Sequence, residues 1–397
     1  MRNRLVARTA DPGSQMSAKH IKCEITQASK DNQNVCGDYF LISRTAEYTI
    51  FILCDGIGSG IKANIAAIMC ANRLLKLIQS GLSLIKACEK VVAMMHKAHT
   101  TNVPFAAFSI LYILNNGQYT VISYESPPPL LIDEHTAEPL QQRFFSLGYE
   151  IVGETTGTLQ PGQSIVLISD GVTQAGLGLL KGLGWGIDGL TKYLNRVLKR
   201  IDYPQDLITG TLQQAWELSD CRRLDDTSMA VLTCCEATVL NILTGPPAYK
   251  KDDEEAVRTF NSNGGYKIIC GSSTAEIAAR VMDRPIEVIK ISPSFSQPPQ
   301  YSIAGIDVVS EGAVTLNQVY NILEENQENY DPESCVSIIA ELMKKADLIN
   351  FYIGGAKNPS HQQITFKQLG VLPRKTIVKL IIDKLKKMGK TVTEHNL

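Results

Sequence analysis

The sequence predicts an antiparallel α+β sandwich flanked by helix pairs, followed by a smaller α/β domain. Three observations predict it. Strand-like apolar runs recur through the first half and meet at hairpin turns. The helical patterns between them come in pairs. After a break rich in proline and charge, the pattern changes to strand, glycine-rich turn, helix.

The first-half strands are expected at Lys22–Ile25, Asp38–Arg44, Tyr48–Cys54, Phe105–Leu114, Tyr119–Tyr124, Leu130–Asp133, Ser164–Ser169 and Met229–Cys234. Asn115-Asn116-Gly117 is a tight-turn signal that joins two of them as an antiparallel hairpin. A helical pattern from Ala63 to about Gln79 carries the apolar residues Ile65, Ile68, Met69, Leu74, Leu75 and Ile78. A second, from Ser83 to His99, carries Ile85, Cys88, Val91, Val92 and Met95. Two further helices are expected, from about Gly189 to Ile201 and from Pro204 to Leu218. Hairpins and paired helices argue against a doubly wound sheet in this half.

Thr244-Gly-Pro-Pro-Ala-Tyr-Lys-Lys-Asp-Asp-Glu-Glu255 combines turn formers with a charge run and predicts a linker over 241–258. The domains are then 18–240 and 259–397, with residues 1–17 a disordered leader in which Met16 is a candidate for the natural start. The second domain has a strand at Tyr266–Cys270, the turn Gly271-Ser272-Ser273-Thr274 and a helix to about Met282. Later come a strand at Leu348–Ile353, Gly354-Gly355, and a long helix after Pro373. No internal repeat or low-complexity segment is evident.

With 397 residues the chain is long enough for two domains that each bury a core. Lys+Arg 39 against Asp+Glu 40 leaves a formal charge of -1, so whole-chain electrostatics gives no case for nucleic acid or an acidic membrane. Basic character is local, at Lys384-Leu-Lys-Lys387 and at Arg2, Arg4 and Arg8. None of the ten cysteines forms a CxxC pair, and several sit in apolar runs, where cysteine packs as a small hydrophobe. No apolar stretch reaches the roughly 18 residues of a membrane span, and no signal-peptide pattern precedes Asp11-Pro12-Gly13. Reduced thiols in the cytoplasm are expected.

The chemistry is carried by acids. Asp55 ends the apolar run Tyr48–Cys54 and stands before Gly56-Ile-Gly58-Ser-Gly60. Asp170 ends another such run and is followed by Gly171, while Asp225-Asp226 precede the strand Met229–Cys234 and Asp38 follows Gly37 at a strand start. One Asp-Gly is ordinarily a turn. Four such sites beside strand ends point to a cage for hard divalent cations, which prefer oxygen ligands and keep several waters. Metal ions that share a carboxylate can acidify a water and neutralise phosphate oxygens, so the pattern points to phosphoester hydrolysis.

The ordered set Gly37-Asp38-Tyr39-Phe40, Asp55-Gly56-Ile57-Gly58-Ser59-Gly60, Ser169-Asp170-Gly171-Val172 and Asp225-Asp226-Thr227-Ser228 resembles the PPM superfamily of metal-dependent protein phosphatases. It is most similar to the bacterial branch typified by the stage II sporulation protein E phosphatase domain, over roughly residues 18–235. The resemblance implies a PPM-phosphatase-like β-sandwich flanked by helix pairs, with two Mn²⁺ or Mg²⁺ ions at one end. It implies hydrolysis of phosphoserine or phosphothreonine by direct attack of a water held between the metals. It also implies roles: Asp55 bridges the ions, Gly56 offers its carbonyl, Asp38 holds the second ion, and Asp170 and Asp225 complete the first. Asp226 then supports the site from behind these ligands, and the paired helices after Gly60 match the family's movable regulatory helices. Two departures are visible. Ser59 stands where many relatives have histidine, and no arginine matches the phosphate-gripping one of eukaryotic relatives. The implied partner is a phosphorylated regulatory protein of the anti-sigma antagonist type, and a homodimer is a family expectation.

Other signals are weaker. Gly56-Ile-Gly-Ser-Gly60 falls short of GxGxxG because Ile61 stands at its last position, and no parallel βαβ unit follows. His96 and His99 share a helix face with no ligand set close in sequence. Ser273 and Glu276 form a capping-box pattern, while Gly271, Ser272, Ser273 and Thr274 also make a candidate anion site at a helix start. Gly354 to His361 reads as a polar loop. Three functions remain open on sequence: an Mn²⁺- or Mg²⁺-dependent protein phosphatase whose second domain senses a small ligand or recruits a partner, a catalytically silent phosphoprotein- or metabolite-binding module of the same fold, and a hydrolase of small phosphoesters. The retained acids favour an enzyme.

Overall fold

The computed structural model describes residues 18–100, 105–179, 182–200, 204–290, 299–325, 330–356 and 370–397. The leader expected over 1–17, the end of the helix expected to reach Ile201, and most of the loop expected from Gly354 to His361 lie outside them. The chain divides into two compact units that part between Glu236 and Ala237, with Arg44–Ala46 counted in the second.

The first unit runs β1 (Lys19–Ala28), β2 (Tyr39–Arg44), β3 (Tyr48–Gly56), α1 (Gly60–Gln79), α2 (Leu84–Thr100), β4 (Ala106–Leu114), β5 (Gln118–Tyr124) and β6 (Leu130–Asp133). It continues with β7 (Thr136–Pro139), β8 (Arg143–Leu147), β9 (Glu150–Thr158), β10 (Ser164–Ile168), α3 (Asp170–Thr173), α4 (Gly186–Val197), α5 (Pro204–Leu218) and β11 (Thr227–Glu236). The strands form two sheets, ordered β1-β11-β10-β6-β7 and β2-β3-β4-β5-β9-β8.

Alternation along the strands builds the layers. Phe51, Leu53, Leu111, Val121, Ile165, Leu167, Ala230 and Leu232 pack together as the filling between the sheets. The opposite face of β3 and β4, with Ile50, Ile52 and Ile110, packs on Ala67, Leu74 and Val91 of α1 and α2. The outer face of the other sheet, with Val166, Ile168 and Val231, packs on Leu190 and Leu194 of α4 and on Ile208 and Leu212 of α5. The expected sandwich with paired helices is therefore observed.

Sequence patterning missed β7, β8 and β9. β8 is an edge strand whose Arg143, Phe144 and Ser146 are exposed, and only Phe145 and Leu147 turn inward to the core, too short an apolar run to read as a strand. β9 contains Gly153 and Gly157, ordinarily weak in strands. Here the missing side chain at Gly157 makes room for Tyr119, whose hydroxyl oxygen lies 2.7 Å from where a Cβ would stand.

The second unit runs β12 (Val239–Thr244), α6 (Asp253–Ser262), β13 (Tyr266–Cys270), α7 (Ser272–Met282), β14 (Glu287–Lys290), β15 (Gln300–Ser302) and β16 (Val308–Ser310). It ends with α8 (Ala313–Ile322), α9 (Cys335–Lys345), β17 (Leu348–Ile353), α10 (Arg374–Lys387) and β18 (Thr391–Asn396). Its sheet has the order β14-β15-β16-β13-β12-β17-β18. β16, β13, β12, β17 and β18 are parallel, and β14 and β15 add an antiparallel edge. Helices cover both faces: α8, α9 and α10 supply one core, α6 and α7 the other.

The stretch 241–258, expected as a linker, is instead part of this fold. Leu240, Ile242 and Leu243 of β12 are buried in the middle of the sheet. The charge run belongs to the first turn of α6, where Asp253, Glu254 and Glu255 complement the positive end of the helix. Ser273 does not cap α7 either. That helix starts at Ser272 with Gly271 as its N-cap and no capping side chain, so Ser273 lies inside the first turn.

Candidate metal centre

The acids come from strand ends that the sandwich brings together. Phe51 and Leu53 face the filling between the sheets, and the alternation of β3 sends Asp55 to the same side. Asp38 stands directly before β2 and is 1% exposed. Asp170 opens α3 just after β10, and Asp225 and Asp226 precede β11. The amide of Ser169 donates to the Ser228 carbonyl at 3.0 Å, which fastens the end of β10 beside the start of β11.

Three glycines let these ends close on one another. A Cβ on Gly37 would lie 2.8 Å from Asp226 Oδ2, 3.0 Å from the Ala63 methyl and 3.5 Å from the Gly56 carbonyl oxygen. A Cβ on Gly56 would stand 2.0 Å from the Ala63 carbonyl oxygen, and one on Gly171 would stand 2.0 Å from that of Asp226. The Asp-Gly pairs read from the sequence are thus backbone contact points, as the small residue requires.

The electrostatics of the cluster is strained. Burial pushes the Asp55 carboxyl well above the ordinary carboxylate range, and the charges of Asp38, Asp170 and Asp225 push it further. Burial also raises Asp38; the Ser228 and Ser169 hydroxyls pull it partly back, and Asp226 pushes it up. Asp225 is raised by burial, moderated by the Asp226 amide that donates to its Oδ1 at 2.9 Å and by Lys30, and raised again by Asp170.

Compensating contacts are sparse. Ser169 Oγ accepts from the Ser228 amide at 2.9 Å and Ser228 Oγ accepts from Gln27 Nε2 at 3.3 Å, yet neither closes a hydrogen bond with Asp38. Both Asp38 oxygens and Asp226 Oδ2 are buried without a hydrogen-bond partner. Such groups call for a further partner. Asp226 Oδ1 is taken by the Lys30 amide at 2.9 Å, so Asp226 ties down a loop with one oxygen and turns the other toward the cluster beside Gly37. Asp170 Oδ2 accepts from Gln174 Nε2 at 2.7 Å.

Orphaned, mutually repelling carboxylates fit a divalent cation, which satisfies oxygen lone pairs and cancels their charge at once. The shell is open, however. Among the described residues no group of three or more histidine, cysteine, aspartate or glutamate side chains is arranged to hold a metal ion.

Sequence reading missed the supports Gln27, Lys30 and Gln174, and it included Ser169 and Ser228 in the acid motifs without a role. Gln174 alone had a local signal, since it lies one helical turn after Asp170. Ser59 is the N-cap of α1 without a capping side-chain bond. His96 Nδ1 meets Glu150 Oε1 at 2.5 Å, a partner far away in sequence. The antiparallel pairing of β3 with β4 leaves no βαβ unit for a dinucleotide at Gly56. Gly271, Ser272, Ser273 and Thr274 lie in the second unit, at the end of β13 and the start of α7.

Residues 45–234 match the family model of stage II sporulation protein E (SpoIIE). Solved structures with similarity include the PP2C phosphatase domain and a fragment of the regulatory domain of SpoIIE from Bacillus subtilis. It is 16% identical, with 56% of this chain and 64% of that one covered and a TM-score of 0.48. The RsbU and RsbW domains of Rv1364c from Mycobacterium tuberculosis are 15% identical over 67% of this chain and 72% of that one, with a TM-score of 0.46. RsbX in complex with magnesium is 18% identical over 54% of this chain and 96% of that one, with a TM-score of 0.39. The chain thus spans a little under two thirds of the SpoIIE fragment. No curated protein matches it. The match to the SpoIIE family model thus covers a little under half of the chain and lies almost entirely in the first unit.

Proposed function

We propose that the first unit is a divalent-metal-dependent protein serine/threonine phosphatase, acting on phosphoserine or phosphothreonine of a regulatory partner protein. The observation that carries this reading is the cluster of Asp38, Asp55, Asp170 and Asp225, in which Asp38 has two buried unpartnered oxygens and Asp55 is driven far above its ordinary range.

Asp38, Asp55, Asp170, Asp225 and the Gly56 carbonyl would hold two Mg²⁺ or Mn²⁺ ions, and the free Asp226 oxygen faces the same space. When bound, the ions would supply neutralisation of the phosphate oxygens and a water acidified for attack. The chain's own part is positioning. Gly37, Gly56 and Gly171 set the spacing of the strand ends, Gln174 orients Asp170, and Gln27 fixes the backbone before β2 by donating to the Asp38 carbonyl at 3.1 Å. The ten cysteines are all free, and no helix among the described residues is long and apolar enough to cross a membrane. Both support a reducing, cytoplasmic setting.

The open shell favours a second reading, a silent phosphoprotein-binding module of the same fold. Phosphate release from a phosphoserine peptide, measured with Mn²⁺, with Mg²⁺ and with a chelator, separates the two. The enzyme predicts release that needs a cation and disappears in Asp55→Asn. Cation binding and peptide binding without release would establish the silent module instead.

A further inference from the structure

In the second unit the parallel strands lie in the order β16-β13-β12-β17-β18. Numbered along the chain, that is third, second, first, fourth, fifth, an order that gathers helix N-termini at the carboxyl edge of the sheet. Between β12 and β17 this edge is closed. The Arg374 guanidinium fills the space beside Gly245, with Nη1 1.9 Å from where a Cβ would stand, and its Nη2 donates to the Gly354 and Ala356 carbonyls at 2.8 Å. Pro246 and Pro247 there have no N–H to offer.

Between β13 and β16 the edge is built differently. Gly271, with φ +125°, and Gly312 are the N-caps of α7 and α8, and a Cβ on Gly312 would lie 3.5 Å from the Gly271 Cα. Two helix N-termini therefore converge. Neither has a capping side chain or an acid in its first turn. By contrast, α6 carries acids there, and Ser334 caps α9 by accepting from the Ser337 amide. The first amides of α7 and α8 have no acceptor within their helices, and the helix dipoles make this a positive spot.

A separate observation points to a ligand. Thr274 and Thr315, each the third residue of its helix, are 2% and 0% exposed, and their hydroxyls have no hydrogen-bond partner. Thr274 Oγ1 lies 3.1 Å from the Cβ position of Gly271, so it is aimed at the N-cap. Thr244, also 0% exposed with an unpartnered hydroxyl, ends β12 in register with Cys270, which is in turn in register with Ser310. A threonine inside a helix ordinarily bonds the carbonyl one turn back. Hydroxyls left over beside two uncapped N-termini match an anion with several acceptor oxygens.

We propose that the second unit binds a small phosphate ester, its phosphate seated between the N-termini of α7 and α8 at Gly271–Thr274 and Gly312–Thr315. The site is independent of the phosphatase reading. It gives the second unit a ligand-sensing role, with a nucleotide or sugar phosphate as the chemical class.

The test is titration of the full chain with inorganic phosphate and with AMP, followed by calorimetry and ³¹P line broadening. EDTA is present, so that no cation in the acid cluster can recruit phosphate. Saturable binding of either probe is expected. Gly312→Asp places a carboxylate at the N-cap of α8, where a Cβ meets only ordinary contacts; binding should weaken at least tenfold while circular dichroism stays unchanged. Thr274→Val should weaken binding severalfold, and Asp55→Asn should leave it as it is. Absence of binding of both probes, or binding undiminished in Gly312→Asp and Thr274→Val, overturns the proposal.

Discussion

Gly56 and Ala63 are in backbone contact: a methyl group on Gly56 would stand 2.0 Å from the Ala63 carbonyl oxygen. The strand that carries Asp55 therefore runs directly against the first turns of α1, and only glycine permits it. Gly56→Ala has to push β3 and α1 apart, a cost on the order of 3 kcal/mol for overpacking against a rigid backbone. Thermal melting of the metal-free protein should fall by about 6–12 °C. A shift of under a degree would show that α1 is free to move away.

The acid cluster predicts an inverted pH dependence for the metal-free protein. A carboxyl raised in the folded state binds its proton more tightly there than in the unfolded chain. From the ordinary carboxylate range near ~4 upward, raising the pH strips protons that the folded state holds better, so stability falls. Asp38 and Asp55 both contribute in this direction. Melting in EDTA should drop between pH 5 and pH 8, and Asp55→Asn should flatten that drop and melt higher at pH 8. If the variant melts lower at pH 8, Asp55 is a structural turn residue and not a repelled charge.

Gln174 is exposed, and its Nε2 reaches Asp170 Oδ2 at 2.7 Å. Its value lies in orientation, because a ligand oxygen held by a hydrogen bond is prepared for a cation. Gln174→Leu should leave the metal-free melting point within about 0.5 kcal/mol of wild type, as surface changes do. The Mn²⁺ concentration that half-saturates thermal stabilisation should rise severalfold. An unchanged Mn²⁺ midpoint would remove Asp170 from the ligand set.

Much of this was legible in the sequence because the signals are local. Asp55 closes an unbroken apolar strand, Asp170 and Gly171 repeat the arrangement, and hairpin turns announce the antiparallel sheets. What was not legible depends on partners distant in the chain. Gln27 of β1 and Ser228 of β11, about two hundred residues apart, become neighbours beside Asp38 through the antiparallel register Gln27↔Ser228. Most of β12 falls in the linker expected over 241–258, because Gly245-Pro246-Pro247 and the acids of α6 follow it at once. Its burial depends on β13 and β17, and β17 lies about a hundred residues later.

The buried polar ladder of the second unit predicts a difference between its middle and its edge. Asn241 of β12 is fully buried and donates to the Gly264 carbonyl at 2.8 Å, while Asn350 Nδ2 of β17 donates to Asn241 Oδ1 at 2.9 Å. Thr393 of the edge strand β18 donates to Asn350 Oδ1 at 2.6 Å. Asn241→Ala empties a fully buried position and removes the partners of the Gly264 carbonyl and the partly buried Asn350 amide, a cost of about 1–3 kcal/mol. Thr393→Val unpairs one acceptor near water and should cost under about 1 kcal/mol. Urea unfolding of the full chain, followed by amide exchange in β12 and β17, reads the two variants separately. Equal losses in both would mean that the ladder is satisfied by water along its whole length and does not hold the sheet together from its centre.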